Sequence, residues 1–329
     1  MNNISGHYEI LQAALEGRVK KDVPLARFTT YKVGGPAEYF FVAQTRQDLV
    51  TAVKTALVSG ISCTVLGGGS NVLISDGGLP GLVIRNAARN ISLKGIKGSQ
   101  TPGRKVRHVF VEADAGVPMN QLVRFTIDQG LSGLEMHLGL PGTVGGAVYM
   151  NSKWTHPVGY VGDAVYQAEI LQPSGDIEAV PRSYFRFAYD YSILQDKPAT
   201  VVSVVFALEQ QDKDALWQKA NESIAYRRSS QPYGVATAGC VFRNIAESEA
   251  IIHQTPGRAV SAGFLADHAG CKGLRVGGAV VSDHHANFII NTGNATARDV
   301  VELIETVRSR VKSAFGVSLR EEIVRMGKF

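Results

Sequence analysis

Apolar residues recur along this chain with two periods. In "TRQDLVTAVKTALVSG" (45–60) a Thr-x-x-Asp cap precedes Leu49, Val53 and Leu57 at helical spacing, and Gly60 ends the run, which predicts a helix. The next runs, "ISCTVLG", "NVLI" and "GLVIR", are short, β-branched and separated by glycine or Asp-Gly, which predicts strands. From 106 to 210 strands dominate: "VRHVFVEA", "AVYQAEIL" and "ATVVSVVFAL", with a Pro-Ser-Gly-Asp turn at 173–176 and one helix at 118–129 ended by Gly130. A third stretch holds an amphipathic helix at 213–229, the strand-like "AGCVFRN", a short helix at 259–268, the strand "ANFIIN" and a helix at 296–315 ended by Gly316. The segment "VSLREEIVRM" reads as a last strand able to return to an earlier sheet. Between the first two stretches, the polar, glycine-rich "LKGIKGSQTPGRK" (93–105) reads as an exposed loop. The pattern contains no internal repeat and no low-complexity tract.

Composition narrows the class. With 329 residues, 45% apolar and 19% charged, the chain is a folded globular protein of two or three domains. Apolar runs such as "VVFAL" (204–208) are too short to span a bilayer and the N-terminus lacks a signal pattern, so the expected location is the cytoplasm, away from any membrane. Cys63, Cys240 and Cys271 are widely spaced, which argues against a disulfide framework and a zinc ribbon. The net charge of +5 is scattered without a basic-aromatic stripe, so an anionic small ligand fits better than nucleic acid. His268, Cys271 and "DHHANF" lack metal-ligand spacing, and no metal is expected.

Glycine is the outlier, with 35 residues in short clusters. "VLGGGSNVLI" (65–74) sets three glycines and a serine between two strands, where backbone N–H groups can converge on an anion such as a diphosphate. Alone, the same cluster reads more readily as a tight turn between strands. It is not the Rossmann fingerprint, because the Gly-x-Gly-x-x-Gly spacing is absent and a strand follows where a helix should begin. "LGLPGTVGGAVYMN" (138–151) and "TTYKVGGPAEYF" (29–40) repeat the theme, and three such segments point to a large nucleotide cofactor.

These three segments, together with "SAGFLADHAGCKGLRVGGAVVSDHHANFIINTGNATARDV" and "FGVSLREEI", resemble in order and spacing the UDP-N-acetylenolpyruvoylglucosamine reductases, flavoenzymes of peptidoglycan precursor synthesis, in the subtype with a shortened substrate domain. The resemblance implies an α+β fold: a two-domain FAD-binding module of the vanillyl-alcohol oxidase and p-cresol methylhydroxylase type, plus a small α+β substrate-binding domain. In this chain those would be 1–92, then 93–212 with 317–329, then 213–316. It further implies that NADPH reduces the FAD, and that a UDP-sugar enolpyruvyl ether then takes a hydride at its methylene carbon and a proton at the adjacent carbon; a monomer is expected.

Carried over residue by residue, the resemblance places FAD against Tyr31, Val33 and Gly34, against Leu66, Gly67, Gly68, Gly69, Ser70, Asn71, Val72 and Leu73, and against Pro141, Gly142, Thr143, Gly145, Gly146, Ala147, Tyr149 and Asn151. Substrate contacts fall at Tyr226, Arg227, Gln231, Asn244 and Lys272. The family's proton-donating serine is replaced by Cys240 in "AGCVFRN". A thiol, with an ordinary pKa near 8.5, is mostly protonated at pH 7 and a stronger acid than a hydroxyl, so the exchange keeps a proton donor. Glu322 in "LREEI" matches the family's glutamate, with Glu321 as the exposed neighbour. The third catalytic position is Asp190 in "FAYDYS", where the family has an arginine that stabilises the enolate. An anion there reverses the interaction, which leaves Arg186, Arg182 or Lys153 as the replacement cation. Asp190 also admits two other readings: a flavin-dependent relative acting on another nucleotide sugar, or a flavin- or UDP-sugar-binding protein without turnover.

Overall fold

The structure, a computed structural model, describes residues 4–101 and 104–329, and within them the side chains other than those of 4–5 and 97–106. The chain divides into two compact units, the first made of residues 1–21, 39–68 and 81–227, the second of 22–38, 69–80 and 228–329.

In the first unit an antiparallel sheet runs in the order Ile177–Pro181, Val165–Leu171, Thr200–Gln210, Arg104–Asp114, Ile91–Thr101, and Leu131–Ser132 pairs with the end of Thr200–Gln210. The central strand Thr200–Gln210 is apolar almost throughout because both faces are covered. Val204, Phe206 and Leu208 join a core with the helices Met119–Asp128 and Val144–Met150, while Val202 joins a second core with the helices Ile4–Ala14 and Arg46–Val58. The helix Arg46–Val58 starts as its sequence dictates, with a capping box in which Thr45 accepts from Asp48 N–H and the Asp48 carboxylate accepts from Thr45 N–H. Strands Cys63–Leu66 and Leu79–Asn86 pair in parallel.

The segment 93–105, expected as a loop, is instead the end of a hairpin in which Ile91–Thr101 and Arg104–Asp114 pair with Thr101 opposite Arg104; residues 102–103 lie outside the described residues. The ladder satisfies the backbone, so the side chains need not be apolar, and Leu93 and Ile96 are exposed. A second difference is the helix Val144–Met150 inside what reads as a glycine-rich loop.

In the second unit Arg275–Val276, Ala279–Val281 and Ile289–Asn291 form an antiparallel meander. The helix Ala297–Phe315 buries Val300, Leu303, Ile304, Val307 and Val311 in one core with Tyr31, Val33, Leu73, Phe242 and Ile323. Its ends carry a Thr296–Asp299 capping box and Gly316 in the left-handed conformation, at φ 71°. The last strand, Val324–Met326, does return to an earlier one, pairing in parallel with Val72–Ile74.

Candidate active site

The second unit brings "TTYKVGG", the end of "VLGGGSNVLI", "AGCVFRN" and "LREEI" together. Gly69, at φ 63°, lies so close to "TTYKVGG" that a β-carbon would meet the Phe28 carbonyl oxygen at 2.1 Å, and Thr30 N–H donates to Gly69 O at 2.9 Å. Asn71 Nδ2 donates to the Glu322 carbonyl at 3.2 Å, and Asn71 O accepts from Val324 N–H at 2.9 Å. Glu322 N–H donates to Val241 O at 2.7 Å, and Phe242 lies opposite Glu321 in an antiparallel bridge. The half-buried Cys240 and Glu322 therefore sit on paired backbone, next to the loop that carries Ser70 and Asn71. On its other side the Cys240 segment is held by residues 287–288. Cys240 bridges Phe288, Val241 N–H donates to Asn287 O, and the Asn287 amide both accepts from Phe242 N–H and donates to Phe242 O. Val72 and Leu73 form the adjoining strand.

Several predicted substrate residues are engaged in structural contacts. Asn244 Oδ1 accepts from Ala262 N–H, the first residue of the helix Ala262–His268. Lys272 Nζ pairs with Asp267 at 2.6 Å on the surface, and Gln231 is half-buried.

In the first unit the two glycine loops touch directly. A β-carbon on Gly68 would lie 2.4 Å from Gly142 Cα, and one on Gly67 2.4 Å from Thr143 Oγ1. Leu66 is buried, Pro141 is exposed, and Gly145 packs on Ala115. The helix Val144–Met150 buries Ala147 and ends at Asn151, which takes the left-handed conformation. The Asn151 amide donates to Ala188 O at 2.8 Å and accepts from Gly162 N–H at 3.1 Å. Tyr149 O accepts from Ser192 Oγ at 2.7 Å and Gln195 Nε2 at 3.1 Å. These bonds tie "FAYDYS" to the end of the helix and place Asp190, 2% exposed, beside Lys153, whose Nζ donates to Asp190 Oδ2 at 2.6 Å. The same ammonium stands 3.9 Å from the centre of the Tyr189 ring. Of the other cations considered, Arg182 donates to Gly162 O and pairs with Asp163 at the surface, and Arg186 is exposed. Tyr226 stacks on His156 at 4.6 Å, and the Arg227 guanidinium lies 4.4 Å from the Trp154 ring centre.

In the first unit the residues present fit a bound nucleotide cofactor: Thr143 Oγ1 is a buried polar atom with no hydrogen-bond partner among the described residues. In the second unit, taken by itself, Tyr31 Oη is another. A β-carbon at Gly146 would meet only Thr143 Oγ1, at 3.8 Å, so this glycine opens onto space where Gly67 and Gly68 open onto chain. Burial also raises the Tyr31 hydroxyl pKa, keeping it a neutral donor.

The sequence does not announce the ion cluster behind Glu322. Arg308 and Arg325 both donate to the Glu321 carboxylate. The Glu-x-x-x-Arg spacing of 321 and 325 hints at half of it, and nothing in the spacing points to Arg308.

Over 98% of this chain the fold is similar to the VAO-type flavoprotein MtVAO615 of Myceliophthora thermophila, with TM-score 0.57 at 12% identity and 88% of that chain covered. Residues 37–180 match the family model described as FAD binding domain. The class is thus an FAD-binding α+β fold of the vanillyl-alcohol oxidase type. Residues 231–326 match the model described as UDP-N-acetylenolpyruvoylglucosamine reductase, C-terminal domain. The UDP-N-acetylenolpyruvoylglucosamine reductase of Heliobacterium modesticaldum is 36% identical over 94% of this chain and 91% of its own, and that of Synechococcus sp. 38% identical over 94% and 95%. The crystal structure of the Thermus caldophilus enzyme, MurB, superposes with TM-score 0.75 at 33% identity, covering 94% of this chain and 99% of that one. The chain belongs to the UDP-N-acetylenolpyruvoylglucosamine reductase family.

Proposed function

We propose that this protein carries out the FAD-dependent, NADPH-linked reduction of UDP-N-acetylglucosamine enolpyruvate to UDP-N-acetylmuramate, a step of peptidoglycan precursor synthesis, as a cytoplasmic monomer. The observation that carries the reading is family membership over 94% of the chain, joined to the backbone pairing of the Cys240 and Glu322 segments.

When bound, the flavin supplies the hydride that reaches the methylene carbon of the enol ether. Thr143 offers it the buried hydroxyl noted above, and the glycine loops of the first unit give it close approach to backbone N–H groups. Cys240 delivers the proton from Sγ to the adjacent carbon, and Glu322 supports that delivery. Negative charge gathers on the substrate carboxyl as the hydride arrives, and a cation must meet it. Lys153 is the cation we assign, with Asp190 as the counter-ion that holds it in place; this assigns Asp190 a positioning role in place of the arginine's direct one. Tyr226, Arg227, Gln231, Asn244 and Lys272 remain the proposed contacts of the UDP moiety, with Asn244 and Lys272 leaving their present partners to take part.

The test uses flavin-loaded protein without oxygen. NADPH bleaches the visible flavin band, and enolpyruvyl-UDP-N-acetylglucosamine restores it. Restoration that slows by orders of magnitude in Cys240→Ala and persists in Cys240→Ser supports the assignment. A band that stays bleached until oxygen is admitted rejects the reaction.

A further inference from the structure

We propose that Arg308 is a positioning residue for the proton-delivering pair Cys240 and Glu322, an inference that rests on the reading above. "LREEI" offers two adjacent, chemically equal carboxylates, and a shift of one residue would exchange them, because neighbours on extended backbone leave on opposite sides. Something must decide which glutamate faces the substrate, and the ion cluster does so. Arg308, on the helix Ala297–Phe315, donates through Nη2 to Glu321 Oε1 at 2.5 Å and through Nε to Leu319 O at 3.2 Å. Arg325 closes on the same carboxylate, with Nε to Oε2 at 2.8 Å and Nη2 to Oε1 at 2.7 Å. Glu305 pairs with both guanidinium groups, so neither arginine is left with an excess of positive charge.

Arg308 also reaches the strand that carries the thiol. Its guanidinium carbon stands 6.0 Å from the centre of the Phe242 ring, two residues beyond Cys240, and Phe242 is the residue opposite Glu321. One side chain on the helix Ala297–Phe315 therefore reaches both members of the bridge that sets the Cys240 segment against the Glu322 segment. Arg243 N–H to Arg320 O, at 2.9 Å, and Glu322 N–H to Val241 O record the same register in the backbone. Glu321 is thereby committed to the helix side, which sets its neighbour Glu322 on the other side of the backbone.

The experiment compares flavin-loaded wild type with Arg308→Met and Arg308→Lys by half-reactions and by amide hydrogen exchange. In Arg308→Met the substrate-driven return of the flavin band slows by about 10²-fold, the loss typical of a misplacement near 1 Å. Bleaching by NADPH and the KM for the enolpyruvyl sugar stay within about threefold, which separates positioning from binding. The Glu322 amide loses protection while the helix Ala297–Phe315 keeps its own, and Arg308→Lys, retaining a donor, recovers most of the rate. If Arg308→Met does not fold, Glu321→Gln, which keeps the shape and weakens the clamp, shows the same selective slowing. A wild-type reoxidation rate in Arg308→Met or Glu321→Gln overturns the proposal and leaves the reductase reading standing. So does equal slowing of both half-reactions with protection lost across 228–329. Wild-type protein that substrate never reoxidises overturns the reading and the proposal together.

Discussion

Exchanging either member of the Lys153–Asp190 pair tests whether this buried contact replaces the family's arginine. The ammonium and carboxylate stand 2.6 Å apart, with side-chain exposures of 15% and 3%. At an effective dielectric of about 20 their gross attraction is about 6 kcal/mol, but taking both ions from water costs several kcal/mol each, so the intact pair contributes little net stability. Removing one member is another matter, because the survivor stays buried; such losses run to about 3–5 kcal/mol. The exposures predict an asymmetry. Lys153→Met strands the almost fully buried carboxylate and falls at the upper end, whereas Asp190→Asn leaves a lysine whose stem lets its head shift toward water, and falls at the lower end. Asparagine also tolerates the left-handed backbone of residue 190, at φ 49°, so no strain is added. The double variant should cost less than Lys153→Met alone, since the stranded charge is gone, giving a coupling of about 2 kcal/mol or more. Urea unfolding of the four proteins measures it. The oxidative half-reaction then separates the roles: Lys153→Met should slow it by about 10²–10³-fold, the scale of one lost charge-stabilising donor, and Asp190→Asn far less. Additive stability losses, or two single variants each within about 1 kcal/mol of wild type, would refute the argument that the pair is buried and coupled.

Two further predictions concern acid. Burial, followed by the positive charge of Arg227, holds His137 at about 4, below its ordinary 6.5. The unfolded chain then binds a proton that the folded one refuses, so stability is full above pH 6.5 and about 3 kcal/mol is lost as pH falls to 4. His137→Leu should flatten that part of a urea-midpoint profile. Burial pushes Glu112 up, but hydrogen bonds from Arg46 and Lys94 outweigh it and hold the carboxyl at about 2, against an ordinary 4.5. A depressed carboxyl contributes stability above pH 4.5 that is lost toward pH 2, again about 3 kcal/mol, and Arg46→Met, which leaves only Lys94 and Ser203 on the carboxylate, should shrink this second, lower-pH loss.

What the sequence made legible was whatever is settled locally. The Thr45–Asp48 cap, the strand–glycine–strand of "VLGGGSNVLI" and the stop at Gly316 depend on residues within one turn of each other, and each lies where the pattern put it. The helix Val144–Met150 was hidden because Gly145 and Gly146 are poor helix formers, and it forms because Val144, Ala147 and Val148 are buried in the first unit's core. The strand pairing of 93–101 with 104–111 was hidden because it satisfies backbone rather than side chains. In the site, the glycine segments and the place of Cys240 were visible as motifs. The ion pairs were not: Lys153 and Asp190 are 37 positions apart, and Arg308 and Glu321 are 13 apart on different elements. Charge partners at such distances follow from the fold, so Asp190 reads as an isolated anion until the lysine is seen beside it.

The glycines themselves divide in a way their clustering conceals, and the division yields a clean test of the cofactor site. Gly68 is glycine for the protein's own sake, since a methyl group there would enter the backbone of Gly142 at 2.4 Å, with no flexible side chain to yield. Gly68→Ala should therefore cost stability whether or not flavin is present. Gly146 has no such neighbour, its backbone is helical, and it sits inside the helix Val144–Met150. By conformation alone, alanine there should stabilise the flavin-free protein by about 0.5–1 kcal/mol, because glycine costs more entropy to order in a helix. A methyl group at 146 would stand in the space beside Thr143 Oγ1, where a cofactor against this turn would lie. Gly146→Ala should raise the unfolding midpoint of the flavin-free protein and lower its affinity for FAD, read by quenching of flavin fluorescence on titration. Unchanged affinity in a protein so stabilised would mean that the cofactor does not lie against this turn, and that the orphaned Thr143 hydroxyl answers to something else.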